Sequence, residues 1–298
     1  MTTHHFVPTQ YHHVLATLPP TLTVESGDTV VTETIDANGW DKHGNKAWKA
    51  GNPMNGPIAV AGAEPGDSLK VEILAMQPIR ATGWTRASVA PNVVDPDFAA
   101  QLPPRVRTTW RIDRNAQTTQ LEDGSGPTLP LSPMIGCFGV APEGDQAIST
   151  ATSGPHGGNM DYRLLGPGAS IRFPVSAAGA LFFLGDCHAL QGDGEIVGTG
   201  IETAYEVTVR LTLEKRTIAW PRGETGTDIF TVGNARPLEQ AIQHATTEML
   251  RWLGEDYGLD LVAASNLLGQ AVRYDIGNIY DPAFTVGCRL ARQWLTRR

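Results

Sequence analysis

Residues 203–213, TAYEVTVRLTL, alternate apolar and polar side chains over their whole length. Tyr205, Val207, Val209, Leu211 and Leu213 share one face, the period-two signature of a strand buried on one side and wet on the other. The pattern recurs upstream, each time behind a glycine turn. Ser26-Gly27-Asp28 precedes Thr29 and Val30, Pro65-Gly66-Asp67 precedes Leu69, Val71 and Ile73, and Pro167-Gly168-Ala169 precedes Ile171, Phe173 and Val175. Connections this short and this rich in glycine and proline leave no room for the crossover helices of repeated βαβ units.

Helical spacing begins only late in the chain. Leu238, Ile242, Ala245, Met249 and Trp252 follow a three-four rhythm, with Pro237 suited to the first turn and Gly254 to the stop. A second helix is predicted over about Asp260 to Arg273, with Leu261, Ala264, Leu268 and Val272 on one face. The expected fold class is therefore α+β and predominantly β, with short strands in barrel- or sandwich-like sheets and helices in the C-terminal third. No stretch of disordered composition divides the chain. Residues 1–298 read as one unit, mostly β over 1–235 and a helical packing segment over 236–298.

Composition narrows the possible roles. A net charge of −8, without any cluster of Lys or Arg, argues against a nucleic-acid partner. Cys137, Cys187 and Cys288 lie far apart without metal-type spacing, which suits reduced thiols. The N-terminal MTTHHFVPTQYHH lacks a signal-type apolar core, and no segment has the eighteen apolar residues of a membrane span, so a cytoplasmic protein without a membrane partner is expected. His4 and His5 read as part of a solvated tail.

The chemistry is concentrated between Ser153 and Glu202. ALFFLGDCH reads as a buried strand running out into Asp186-Cys187-His188. Extended geometry would put Asp186 and His188 on one face, close enough to share an ion or a polar substrate atom. The loop Gly154-Pro155-His156-Gly157-Gly158-Asn159 adds a third candidate ligand, His156, and a run of backbone N–H groups able to face an anion. Oxygen and imidazole donors without thiolate suit a divalent ion, zinc first, at an open catalytic site. Glu195, and after it Glu202, are the candidates for a proton-carrying base. There is no Gly-x-Ser-x-Gly elbow, and Cys137 sits among apolar neighbours as an inert thiol. A non-catalytic metal-binding β protein is the competing class. A copper site would need a methionine close behind His188, and the next one is Met249.

The blocks PMIGCFGVAPEG, GPHGGNMD, GDCHALQGDGE and GTGIE, preceded by LPPTLTVESGDTVVTETIDA and NPMNGPIAVAGAEPGDSLKVEIL, resemble the acetamidase/formamidase family of amide hydrolases. The resemblance covers roughly residues 10 to 295 and is weakest over 82–122, where a long loop is expected to shape the entrance. It implies hydrolysis of short linear amides such as formamide and acetamide to a carboxylic acid and ammonia; with no nucleophile motif in the chain, the attacking water is expected to be activated by the metal. A small lactam is the alternative substrate. It also implies a homodimer or larger homo-oligomer, and it adds Asp36, otherwise a turn former, to the metal candidates.

Overall fold

The computed structural model describes residues 1–49 and 51–296. Two sheets face each other across one core. The larger has nine strands, in the order Thr3–Phe6, Asp28–Glu33, Tyr205–Glu214, Ser68–Pro78, Ser170–Pro174, Arg222–Glu224, Asp228–Ala235, Phe284–Ala291 and Arg273–Asn278. The second has six, in the order Ser153–Gly154, Gly157–Asn159, Met134–Gly139, Phe182–His188, Met54–Val60 and Leu22–Val24. Tyr205–Glu214 lies in the middle of the larger sheet and pairs antiparallel with both Asp28–Glu33 and Ser68–Pro78. Its Tyr205, Val207, Val209 and Leu211 are fully buried, as their alternation predicts. They join Val71 and Ile73 from the same sheet and Ile135, Phe138 and Phe182 from the facing one in a single cluster. Phe138 meets Phe173 and Phe182 edge-on, at centroid distances of 5.3 and 6.4 Å, an arrangement that suits the quadrupoles of the rings.

The first long helix, Leu238–Tyr257, runs through Gly254 and stops at Gly258, whose φ of 64° is the left-handed conformation typical of a helix end. Ala245, Met249, Trp252 and Leu253 pack on Ile229, Cys288 and Leu290 of the larger sheet. Helix and sheet approach so closely that a Cβ on Gly233 would strike the carbonyl of Ala241. The second helix, Leu261–Ala271, is capped by Asp260, whose carboxylate accepts from the Ala263 N–H at 2.8 Å. Ala264 and Leu268 are buried, whereas Leu261, expected on the same face, is exposed.

Three further expectations are corrected. The C-terminal segment is not only helical, because Arg273–Asn278 and Phe284–Ala291 complete the larger sheet. Residues 82–122 contain strands Thr82–Arg86, Arg107–Asp113 and Thr118–Leu121, part of a four-stranded antiparallel sheet, and the loop proper is confined to 87–106. The N-terminal histidines are not in a loose tail. Thr3–Phe6 pairs parallel to Asp28–Glu33, and His4 Nε2 lies 2.8 Å from Asp28 Oδ2.

Candidate active site

The Phe182–His188 strand delivers His188 to the edge of the core, where it is fully buried and bridged to Glu202. Its ring is wedged between glycines. A Cβ on Gly136 would come within 2.9 Å of His188 Cε1 and 2.5 Å of Asp161 Oδ1, and one on Gly200 would collide with the ring itself. Gln191 fixes the tautomer. Its Nε2 donates to the carbonyls of Asp161 and Gly277, at 2.6 and 3.3 Å, so its Oε1 must accept from His188 Nδ1 at 2.8 Å. Nε2 of His188 is thereby turned toward Asp186 Oδ1 at 3.2 Å and Glu202 Oε1 at 3.0 Å. An imidazole held through Nδ1–H with Nε2 presented to carboxylates is in the pose of a metal ligand or of an imidazolium.

Five carboxylates surround this one ring. Donor atoms of Asp161, Asp186 and His188, of His188, Glu195 and Glu202, and of Asp161, Glu195 and Asp281 form three overlapping triads, the atoms of each within 4.8 Å of one another. Asparagine amides thread between them. Asn52 Nδ2 donates to Asp186 Oδ2 and to Asn159 Oδ1, both at 2.8 Å, while Asn159 Nδ2 donates to Asp161 at 2.8 Å and to Asp281 at 2.5 Å. Asn278 Nδ2 reaches Asp161 Oδ2 at 3.1 Å. Asn52, Asp161, Asp186 and Glu195 all hold positive φ, between 44° and 56°. Such conformations are costly for residues with side chains and concentrate where the surrounding structure enforces a functional geometry.

The electrostatics are lopsided. Among the described residues no Lys or Arg pairs with any of the five carboxylates, and Asp161 Oδ1 and Glu202 Oε2 are buried without a partner. Burial, reinforced by Glu195, pushes Asp161 well above the usual carboxylate range. Burial and Asp281 do the same to Glu195. Burial lifts Glu202 to about 8 and Asp281 to about 6. Asp186 alone goes down, because against burial the charge and hydrogen bond of His188 and the amide of Asn52 prevail. Burial opposes the charge on His188, yet Glu202 and Asp186 outweigh it and raise the ring well above its ordinary value. Uncompensated buried carboxylates of this kind, with orphaned oxygens converging on one imidazole, fit a bound divalent cation.

Of the residues singled out by sequence, Asp186, His188, Glu195 and Glu202 are brought together. Asp36 and His156 are not, and both assignments as metal ligands are corrected. Asp36 Oδ2 accepts from Arg80 Nη2 at 2.7 Å and Trp84 Nε1 at 3.0 Å, and its Oδ1 from the N–H groups of Asn38 and Trp40. His156 lies at the turn of a two-stranded ribbon, beside a hollow of about 260 Å³ lined by Pro142, Gln146 and Pro174, and belongs to none of the donor triads. Gly157 and Gly158 are paired to Met134–Gly139 on one side and to Ser153–Gly154 on the other, so their backbone builds a sheet and not an open anion nest. Asn159 does reach the cluster, through its side chain. Sequence reading assigned no role in the site to Asn52, Asp161, Gln191, Asn278 and Asp281. Burial pushes the Cys137 thiol well above its usual range, in keeping with an inert role.

The model of the Acetamidase/Formamidase family matches residues 8–147 and 143–274. An acetamidase of Mycolicibacterium smegmatis is 28% identical over 239 residues, covering 62% of this chain and 59% of that protein, so the match spans well under two thirds of its length. The crystal structure of an acetamidase from Yersinia enterocolitica is 34% identical, with a TM-score of 0.87 over 99% of this chain and 93% of the other. That of an acetamidase from Bacillus halodurans is 31% identical, with a TM-score of 0.85 over 97% and 98%. With the family model spanning most of its length and such neighbours along nearly all of it, the chain belongs to the acetamidase/formamidase family.

Proposed function

We propose that this protein is an amidohydrolase that cleaves the C–N bond of short linear amides, of the formamide and acetamide type, to a carboxylic acid and ammonia. The observation that carries this reading is the gathering of four buried carboxylates and the half-buried Asp281 around one oriented imidazole, in a chain of this family. A divalent cation held there would polarise the amide carbonyl and bring the pKa of a water toward neutrality. Asp161, Asp186 and His188 offer the mixed nitrogen and oxygen donors that zinc accepts, which makes zinc the first candidate. Asp161, Glu195 and Asp281 are an all-oxygen set of the kind that suits harder ions.

The protein's own groups supply the rest. Glu195 belongs to two of the three triads, which places its carboxylate to take a proton from water and pass it to the departing ammonia. Glu202, pushed to about 8, is the second candidate for that role. Gln191 holds the His188 ring through Nδ1, while Asn52 and Asn159 fix the carboxylates in place. We further propose a cytoplasmic enzyme that works as a homodimer or larger homo-oligomer without nucleic-acid or membrane partners. The acidic balance of the chain speaks against a nucleic-acid partner, and among the described residues no helix is long and apolar enough to cross a membrane.

Ammonia release from formamide, acetamide and propionamide tests the reading. Metal-loaded protein should hydrolyse at least one of them. Inactivity across these linear amides and small lactams would overturn it.

A further inference from the structure

Beside the carboxylate cluster the charge changes sign. Glu202 is bridged on one side to His188 and on the other to Trp84, with N–H···O distances of 2.9 and 3.1 Å between Glu202 and Trp84. Directly opposed residues of antiparallel segments point to the same side. The Trp84 side chain therefore leaves its strand on the same side as that of Glu202, one strand spacing (about 4.8 Å) further out. It is buried, and its Nε1 is tied to Asp36 at 3.0 Å.

The Arg107 guanidinium lies over this indole, 5.2 Å from the ring centroid, and 5.4 Å from that of Trp40. Arg86 lies 5.6 Å from the Trp84 ring. Ring faces hold a guanidinium in position without neutralising it. The carboxylate at hand, Asp36, is already taken, since its oxygens serve Arg80, Trp84 and two backbone N–H groups. Among the described residues, the side chains of Arg86 and Arg107 make no hydrogen bond or ion pair beyond these ring contacts. The result is a planar fork of N–H donors, stiffened by stacking and matched to a carboxylate.

We infer that Arg107, seconded by Arg86, binds a carboxylate carried by the substrate, so that the preferred amides are monoamides of short dicarboxylic acids. This rests on the amidohydrolase reading above and names its substrate class. The strand that carries Trp84 lies two strand spacings, about 10 Å, from the one that carries His188, a separation on the scale of an acyl chain of roughly four or five carbons together with a carboxylate–guanidinium contact. The reaction is otherwise unchanged. Water oxygen bonds to the amide carbon, the C–N bond breaks, ammonia leaves with the transferred proton, and the distal carboxylate stays as it was.

The test compares kcat/KM for succinamate and for butyramide, in wild type and in Arg107→Ala, with succinate and butyrate binding measured by calorimetry on the same proteins. Wild type should favour succinamate, and Arg107→Ala should cut the succinamate-to-butyramide ratio about tenfold or more, chiefly through KM, the worth of a hydrogen bond to a charged group. Arg107→Lys should recover part of the preference. If Arg107→Ala is unstable, Arg107→Met keeps the contact with the indoles and repeats the comparison. An unchanged ratio in a folded variant overturns the inference and leaves the amidase reading intact. Butyrate and succinate depending equally on Arg107 would mean that the fork receives the product carboxylate, and the substrate assignment falls. Should wild type hydrolyse neither amide while succinate binding still weakens about tenfold in Arg107→Ala, the carboxylate seat stands and the amidase reading fails.

Discussion

His188 and His156 are both buried, both set among glycines, and both come from the same stretch of sequence, yet their surroundings drive them in opposite directions. Around His156 burial acts alone and lowers the ring to about 4, so it is neutral. Around His188 the carboxylates of Glu202 and Asp186 overcome burial and raise the ring well above its ordinary value, so that without a metal they favour a positive charge there. The difference lies in what faces each ring. His188 is the last residue of a strand that opens onto Asp186, Glu195 and Glu202, with Gln191 steering it from behind. His156 folds back over its own ribbon, close enough that a Cβ on Gly154 would sit 3.0 Å from its Nδ1 and one on Gly158 3.3 Å from its Nε2. Glycine around a histidine means close packing in both places; only the first has charge for the ring to work with.

Exchanging the two rings should break the comparison most sharply. His188→Asn removes the donor shared by two triads and takes the imidazole away from Glu202 and Asp186. Stoichiometric metal and amide turnover should both disappear, with a loss of about 10³-fold or more in kcat/KM, beyond what loss of an outer partner costs. His156→Asn should keep its metal. Elemental analysis of the two variants decides the matter, and metal lost from the His156 variant but kept in the His188 variant would reverse the assignment.

A smaller effect separates ligand from proton carrier inside the carboxylate cluster. Glu195→Gln keeps the shape of the side chain but cannot take a proton. Metal content should survive while kcat falls by about 10²-fold, the usual contribution of a positioned base. Loss of the metal would make Glu195 a ligand instead, and wild-type turnover would transfer the role to Glu202.

How much of this was legible in the sequence follows from where the contacts are made. Alternation exposed Tyr205–Glu214 because one face of that strand meets the core and the other does not. Phe284–Ala291 escaped the same reading because both its faces are covered. Cys288 and Leu290 lie under the helix, while Gly287 meets Tyr162 on the core side, so no alternation survives. In the site, Asp186, His188, Glu195 and Glu202 could be found because one glycine-rich stretch carries them all. Asp281 and Asn52 come from distant loops and meet the cluster only through folding, and nothing in their local spacing signals a ligand. Asp36 and His156 show the converse error. Residue type and a glycine neighbourhood cannot say on which side of a strand an arginine or a ribbon will lie.

The smallest expected effect concerns stability, and it isolates what burial alone does. His156 has an unfolded value near 6.5 and a folded value of about 4. Between these values the unfolded chain binds the proton more readily than the folded one, so stability rises with pH through that window. The contribution is complete above pH 6.5 and is lost as the pH falls through 4, amounting to about 3 kcal/mol or less at 1.36 kcal/mol per pKa unit. Glu202 and Asp281 tilt the other way in metal-free protein, because their raised values favour the folded state at low pH and that advantage fades as pH rises through about 8 and 6, respectively. The His156 contribution is therefore read as a difference. Wild type and His156→Asn, both metal-loaded, should show stabilities that diverge from pH 4 to 6.5 and run parallel above it, by chemical denaturation at each pH. Curves parallel throughout would mean that His156 takes its proton as easily in the folded protein as in the unfolded chain, and the contrast between the two histidines would then lose its second half.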